Sequence, residues 1–194
     1  MTTTKRSHLG KAGHHAVMAE FLLRGWNVAI PEVDVGEDIF VVDDNADRVT
    51  RVQVKTTERV ARSGGVTRAK FGGIARTQFW SSAEMPFYYV FVLREGRQWE
   101  FVVLKRKELQ RLRAQAEATD SAEAERRPGP RPKATQPEGD DAAGTITLVM
   151  TFSAGDVTVW GRSLQAFRNE WGEFPEVSVG PGATARARGR SRAP

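Results

Sequence analysis

The first part of the chain contains one helical pattern followed by three short strand patterns. Apolar residues recur at helical spacing over residues 9–24, and Gly25 then ends the predicted helix. Short apolar or alternating runs bounded by turn residues predict strands at residues 26–30, 38–42 and 48–56. The polar cluster at residues 43–47 is typical of a turn, so we expect the second and third strands to form a hairpin.

The middle of the chain contains its most apolar segment. Residues 87–93 are continuously apolar or aromatic, which is typical of a central strand buried on both faces. A helix is predicted before it at residues 74–83, a strand after it at residues 99–104, and a third helix at residues 105–117. The Gly- and Arg-rich residues 59–73 predict no regular element.

The last part of the chain mixes disordered and ordered patterns. Residues 118–144 are rich in Ala, Pro, Gly and charge without apolar periodicity, so we predict a disordered insertion. Order returns with strands at residues 145–152 and 157–160 and a terminal helix at residues 163–171, before a basic disordered tail at residues 180–194. This order of elements predicts a mixed α/β domain whose sheet is flanked by helices.

The composition narrows the class of protein. The chain has 194 residues, of which 40% are hydrophobic, enough for the core of one ordinary domain. It has no cysteine, which excludes disulfides and Cys-ligated zinc sites. No apolar run approaches a membrane span, and the polar start carries no signal-peptide pattern. We therefore expect a cytoplasmic protein that does not contact the membrane.

Positive charge is concentrated in two segments of the chain. The formal charge is +5, and residues 48–76 hold eight basic residues against one acid, Glu58. Residues 181–194 add four arginines and no acid. Such clustering favours a polyanion partner such as nucleic acid, although a solvated basic surface gives the same pattern.

Two acidic residues stand out by their position. Glu20 is the only formally charged side chain between Lys11 and Arg24, and it lies on or beside the apolar face of the predicted helix. An edge residue that reaches water is the alternative interpretation. Asp38 begins the second strand, but Asp34 and Glu37 are close enough that position alone does not identify the important acid.

The third strand places two polar side chains on one face. Side chains alternate faces with period two, so Gln53 and Lys55 point to one side and Val52 and Val54 to the other. The predicted hairpin brings this polar face beside Asp38. An ordinary amphipathic strand with its polar face in water would show the same alternation.

Taken together, the order of these residues resembles a known family. A helical Glu, an Asp at the head of a hairpin and x-Gln-x-Lys on its second arm are similar to the PD-(D/E)xK nuclease superfamily with its restriction-endonuclease-like fold. The resemblance is to the Holliday-junction-resolvase-like and restriction-like branch, in a QxK variant. The segments that carry it are Ala19-Glu20, Gly25-Trp26-Asn27-Val28, Pro31, Asp34-Val35-Gly36-Glu37-Asp38, Val52-Gln53-Val54-Lys55-Thr56 and residues 86–93.

The resemblance implies a fold, an activity and a set of roles. It implies a nuclease core over residues 1–117, with residues 145–179 as an extension of the same domain, and a Mg²⁺-dependent DNA endonuclease in which Mn²⁺ can substitute. Asp38 would be the principal metal ligand, with Gln53 at the position of the acidic residue. The Val54 carbonyl and Glu20 would complete the metal shell, and Lys55 would orient the attacking water or stabilise the negative charge that develops on the phosphorane.

Several points stay open within this resemblance. Gln53 replaces an acid and removes one negative charge from the site, which also favours a second hypothesis, a catalytically degraded DNA-binding or assembly module. His14 and His15 are possible metal ligands. Neighbouring helical residues point about 100° apart, however, which favours a solvated or phosphate-facing role.

The resemblance also implies partners. DNA contacts are expected mainly on phosphates, through the basic residues that follow the third strand: Arg59, Arg62, Arg68 and Lys70. Whether the protein forms a homodimer stays an open question, because relatives of this kind are often dimeric.

Overall fold

The computed structural model describes residues 3–33, 36–44, 48–59, 65–84, 86–126 and 144–172. The helices are α1 (Thr3–Leu23), α2 (Arg76–Phe79) and α3 (Arg106–Arg126), with one 3-10 turn at Gln165–Phe167. The strands are β1 (Asn27–Ala29), β2 (Ile39–Asp43), β3 (Arg48–Glu58), β4 (Thr67–Ala75), β5 (Phe87–Glu95), β6 (Gln98–Lys105), β7 (Thr145–Phe152), β8 (Val157–Val159) and β9 (Arg162–Ser163). No helix in these ranges is long and apolar enough to cross a membrane.

The first sheet has five strands in the order β1-β2-β3-β5-β6. β2 and β3 form the predicted antiparallel hairpin, in which Ile39 pairs with Val52. β3 and β5 run parallel, with Lys55 opposite Phe91, and the other pairs are antiparallel. The predicted mixed sheet flanked by helices is therefore confirmed.

A second sheet of four strands, β4-β7-β8-β9, was not predicted. The predicted helix at residues 74–83 was wrong: β4 runs through residue 75, and only Arg76–Phe79 is helical. β4 buries every second residue at Thr67, Ala69 and Phe71, and a register shift after Phe71 restarts the pattern at Ile74. The bulge and its two glycines hid this strand pattern in the sequence.

The two faces of the first sheet pack against different layers. α1 covers one face with Val17 and Phe21, which pack in a cluster with inward residues of β2, β3 and β5. The second sheet and α3 cover the other face, where Phe91 packs against Phe71. Since both faces are covered, β5 is buried on both sides over Phe87–Leu93, as its apolar run predicted.

The C-terminal part differs from the prediction at two places. α3 continues to Arg126, so the first residues of the predicted insertion are helical. The rest of the insertion, residues 127–143, lies outside the described residues. The same is true of residues 173–194, which include the predicted tail. The predicted helix at residues 163–171 was wrong. Instead, the 3-10 turn Gln165–Phe167 is followed by a single bridge between Arg168 and Val102 of β6, and the backbone N–H of Asn169 donates to the Phe101 carbonyl.

Candidate functional site

Asp38 occupies the mouth of the β2-β3 hairpin. Its backbone N–H donates to the Val52 carbonyl at 2.9 Å, and its Oδ2 accepts from the Val54 N–H at 2.7 Å. The pairing of β2 with β3 ends at Ile39 and Val52. The Val54 N–H lies beyond these paired residues, and it donates to the Asp38 carboxylate. A hydrogen bond to a charged oxygen is stronger than an amide pair, so it fixes the carboxylate against β3.

His14 is the residue that α1 brings to Asp38. Its Nε2 lies 3.4 Å from Asp38 Oδ1, and the two side chains are only 17% and 14% exposed. Burial lowers the pKa of His14, the Asp38 carboxylate partly offsets this, and the Lys11 and Lys55 charges lower the pKa further. His14 is therefore mostly withdrawn from water and contacts the central acid of the site, while its phosphate-facing role stays a prediction.

The approach of α1 to β3 depends on Gly13. A Cβ on Gly13 would lie 1.9 Å from Thr56 Oγ1, well inside any permitted contact. The absence of a side chain lets the helix lie close enough to β3 for His14 to reach Asp38.

Glu20 is not brought together with Asp38. Its carboxylate pairs with Arg24, one turn later in the helix, and the Arg24 guanidinium lies 4.9 Å from the centre of the Trp171 ring. Six residues of helix separate Glu20 from His14, which is about 9 Å along the axis. The contact that α1 makes with Asp38 comes from His14, and the role that the resemblance implied for Glu20 stays a prediction.

Gln53 stands beside Asp38 across the hairpin, since the pair Ile39 and Val52 fixes the register. The side chain is buried at 4% exposure, and its Nε2 donates to the Gly36 carbonyl at 2.7 Å. Its Oε1 is buried and has no hydrogen-bond partner among the described residues. A buried acceptor without a partner is costly, so this oxygen is suited to a ligand.

Lys55 is anchored by the second sheet. Its Nζ donates to the Gly73 carbonyl at 3.0 Å, and Gly73 lies at the bulge of β4 with φ +72°. The ammonium is close enough to His14 to lower the pKa of the imidazole. Since β4 was not predicted, this anchor could not be foreseen.

The acids next to Asp38 are now distinguishable. Glu37 is buried, and its Oε1 accepts from Arg51 Nη1 at 2.9 Å, away from the His14 contact. Asp34 lies outside the described residues. Of the acids that are described in this loop, Asp38 is the one in contact with both α1 and β3.

The oxygen donors at the hairpin suit a hard cation, and together they carry little negative charge. The Asp38 carboxylate, the Gln53 Oε1 and the Val54 carbonyl are oxygen donors, which Mg²⁺ prefers. The described ranges contain no group of three or more His, Cys, Asp or Glu side chains that could hold a metal ion. Of the three oxygen donors only the Asp38 carboxylate carries a formal negative charge, so a cation here would keep several waters.

The predicted DNA-binding residues lie in different environments. Arg59 is partly buried and pairs with the Glu95 carboxylate. Arg68 and Lys70 are exposed on β4 and alternate with the buried Ala69 and Phe71. Arg62 lies outside the described residues.

Comparison with solved structures gives a distant likeness to an endonuclease. No family model and no curated protein matches the chain. A bacterial homing endonuclease, I-Ssp6803I, is similar in structure with 20% sequence identity and a TM-score of 0.39, over 55% of this chain and 68% of the endonuclease. At this overlap the likeness carries no conclusion about the activity or the ligands of this chain.

Proposed function

We propose that the chain is a Mg²⁺-dependent DNA endonuclease of the PD-(D/E)xK type that hydrolyses phosphodiester bonds with water. The observation that carries the proposal is the gathering of Asp38, Gln53 and Lys55 at one hairpin, with a buried amide oxygen that lacks a partner among the described residues. An ordinary solvated strand face does not bury such a group.

Each residue has a role that follows from its contacts. The Asp38 carboxylate, the Gln53 Oε1 and the Val54 carbonyl would hold the metal, and His14 would fix the carboxylate from the side of α1. When bound, Mg²⁺ makes a coordinated water more acidic and neutralises phosphate charge. The Lys55 ammonium, held by the Gly73 carbonyl, would stabilise the negative charge that develops on the phosphate.

Cleavage by the purified protein is the first test. We expect it to nick or cut DNA with Mg²⁺ or Mn²⁺ and to leave the DNA intact in EDTA, because one carboxylate and neutral oxygens cannot activate water without a cation. Supercoiled, linear and branched DNA should each be incubated with either metal and separated on gels. Intact DNA under every condition would refute the proposal.

The same site also supports a second candidate, a DNA-binding or assembly module that has lost the chemistry. The observation in its favour is that Asp38 is the only carboxylate among the three proposed oxygen donors, with His14 against it. This candidate requires DNA binding that is unchanged by EDTA and by Asp38→Ala. A metal-dependent gain in binding that Asp38→Ala removes would exclude it.

DNA binding is expected to use β4, the strand whose Gly73 carbonyl holds Lys55. Arg68→Ala and Lys70→Ala should each weaken binding about equally for all sequences, because phosphate contacts carry no base information. Each should reduce the slope of log affinity against log salt by roughly one. Fluorescence anisotropy at several salt concentrations measures this slope, and Lys107→Ala, an exposed site at the start of α3, is the control.

A further inference from the structure

Two glutamine side chains converge on one backbone carbonyl beside the site. Gln53 Nε2 from β3 and Gln78 Nε2 from α2 each donate to the Gly36 carbonyl oxygen at 2.7 Å. A carbonyl oxygen has two lone pairs, so it can accept both amides at once. Gly36 lies two residues before Asp38, which makes this carbonyl part of the loop that leads into the hairpin.

The Gly36 backbone adopts a conformation that favours glycine. Its φ is +104°, and a Cβ there would lie 2.6 Å from Gln78 Nε2. Only glycine therefore allows the Gln78 amide to pack this closely on the loop. In return, the Gln78 amide holds the direction in which the Gly36 carbonyl points.

The direction of the Gly36 carbonyl decides which atom of the Gln53 amide can bind a ligand. With Nε2 on the Gly36 carbonyl, Gln53 Oε1 is on the other side of the amide, buried and without a partner among the described residues. A reversed amide would place Oε1 against the Gly36 oxygen, and two acceptors repel each other. A fixed Gly36 carbonyl therefore keeps the Gln53 oxygen available as a ligand.

α3 holds the segment that carries Gln78. Arg106 donates through Nη1 to the Gln78 carbonyl at 3.3 Å and through Nη2 to the Ala83 carbonyl at 2.8 Å. Gln110 Nε2 donates to the Phe79 carbonyl at 2.5 Å. These bonds fix the backbone of α2, so the Gln78 side chain approaches Gly36 from a rigid support.

We propose that Gln78 is a positioning residue that orients the Gln53 amide, through the Gly36 carbonyl, with its oxygen toward the metal. The inference rests on the proposed function, because it takes Gln53 as a metal ligand. Gln78 itself would touch neither DNA nor the metal. Its loss should change metal affinity and not only stability.

The test is Mn²⁺ binding by the protein without DNA, measured by isothermal titration calorimetry. Gln78→Met keeps the length of the side chain and removes the amide, and it should weaken Mn²⁺ binding about 10-fold, as loss of a group that orients a ligand commonly does. Gln78→Asn, one methylene shorter, should show the same loss if Gln78→Met does not fold. Gln110→Met is the matched control, because Gln110 donates to the α2 backbone at Phe79 and not to Gly36. The Mn²⁺ affinity of this variant should stay within about twofold of the parent.

A second background separates orientation from general damage. In Gln53→Met there is no amide to orient, so adding Gln78→Met should change the remaining Mn²⁺ affinity less than about twofold. An unchanged affinity in Gln78→Met, while Asp38→Ala removes binding, would overturn the inference and leave the proposed function standing. If the parent protein does not bind Mn²⁺ at all, both the inference and the metal-dependent function fail.

Discussion

Asp38→Asn is expected to lower the rate of DNA cleavage at least about 100-fold while the protein stays folded. The asparagine has the same shape, and its oxygen can still accept the Val54 N–H, so the mouth of the hairpin should keep its geometry. What is lost is the only formal negative charge of the proposed donor set, and with it most of the attraction for a divalent cation. Cleavage of supercoiled DNA under single-turnover conditions, with circular dichroism as a check of folding, measures the effect.

Asp120→Asn is the matched control for this substitution. Asp120 is exposed on α3, and its replacement makes the same change in net charge away from the hairpin. We expect its cleavage rate to equal that of the parent, and DNA binding in EDTA to be the same in both variants. Parent-level cleavage by Asp38→Asn would mean that the metal site lies elsewhere, since no other residue of the set supplies a charge.

The hairpin could be predicted because its signals are local. Period-two alternation around Gln53 and Lys55 and the turn cluster at residues 43–47 do not depend on any distant contact. The same holds for β5, whose unbroken apolar run required cover on both faces. The predicted proximity of Asp38 to the Gln53 and Lys55 strand follows from this one hairpin.

The helical member of the site could not be predicted from charge alone. Glu20 stood out as an isolated acid, yet Arg24 four residues later is at the spacing of a helical ion pair and is its partner in the structure. His14 depends on a tertiary contact between α1 and β3. The signal that could have identified it is Gly13, because a glycine inside a helix is unfavourable unless something packs against it.

The support of Lys55 and Gln53 was hidden for a different reason. Both side chains are held by carbonyls of glycines, Gly73 and Gly36, in left-handed backbone. Glycines in such loops mark turns in a sequence, but they do not show which distant side chain the turn will meet. The side chain of Gln78 in α2 shares the Gly36 carbonyl, and this contact exists only once both sheets have packed.

Gly13→Ala is expected to destabilise the protein by about 1–3 kcal/mol, the usual cost of forcing an extra methyl group into a packed contact. The new Cβ would lie 1.9 Å from Thr56 Oγ1 and 2.8 Å from its Cγ2, so α1 and β3 must separate or the strand must shift. Urea denaturation gives the free energy of unfolding. Gly10→Ala in the same helix is the control: a Cβ at Gly10 meets nothing within 4 Å, and this substitution should stabilise the protein by about 0.5–1 kcal/mol.

Thr56→Gly tests whether the contact itself is the cause. In that background every Thr56 atom that the Gly13 methyl group would meet is gone, so Gly13→Ala should cost less than about 0.5 kcal/mol. The same cost in both backgrounds would show that Thr56 is not what the methyl group meets. Because His14 directly follows Gly13, separation of α1 from β3 also moves the imidazole away from Asp38. Cleavage should therefore fall in Gly13→Ala and recover in the double variant, which would connect the packing of this one glycine to the chemistry of the hairpin.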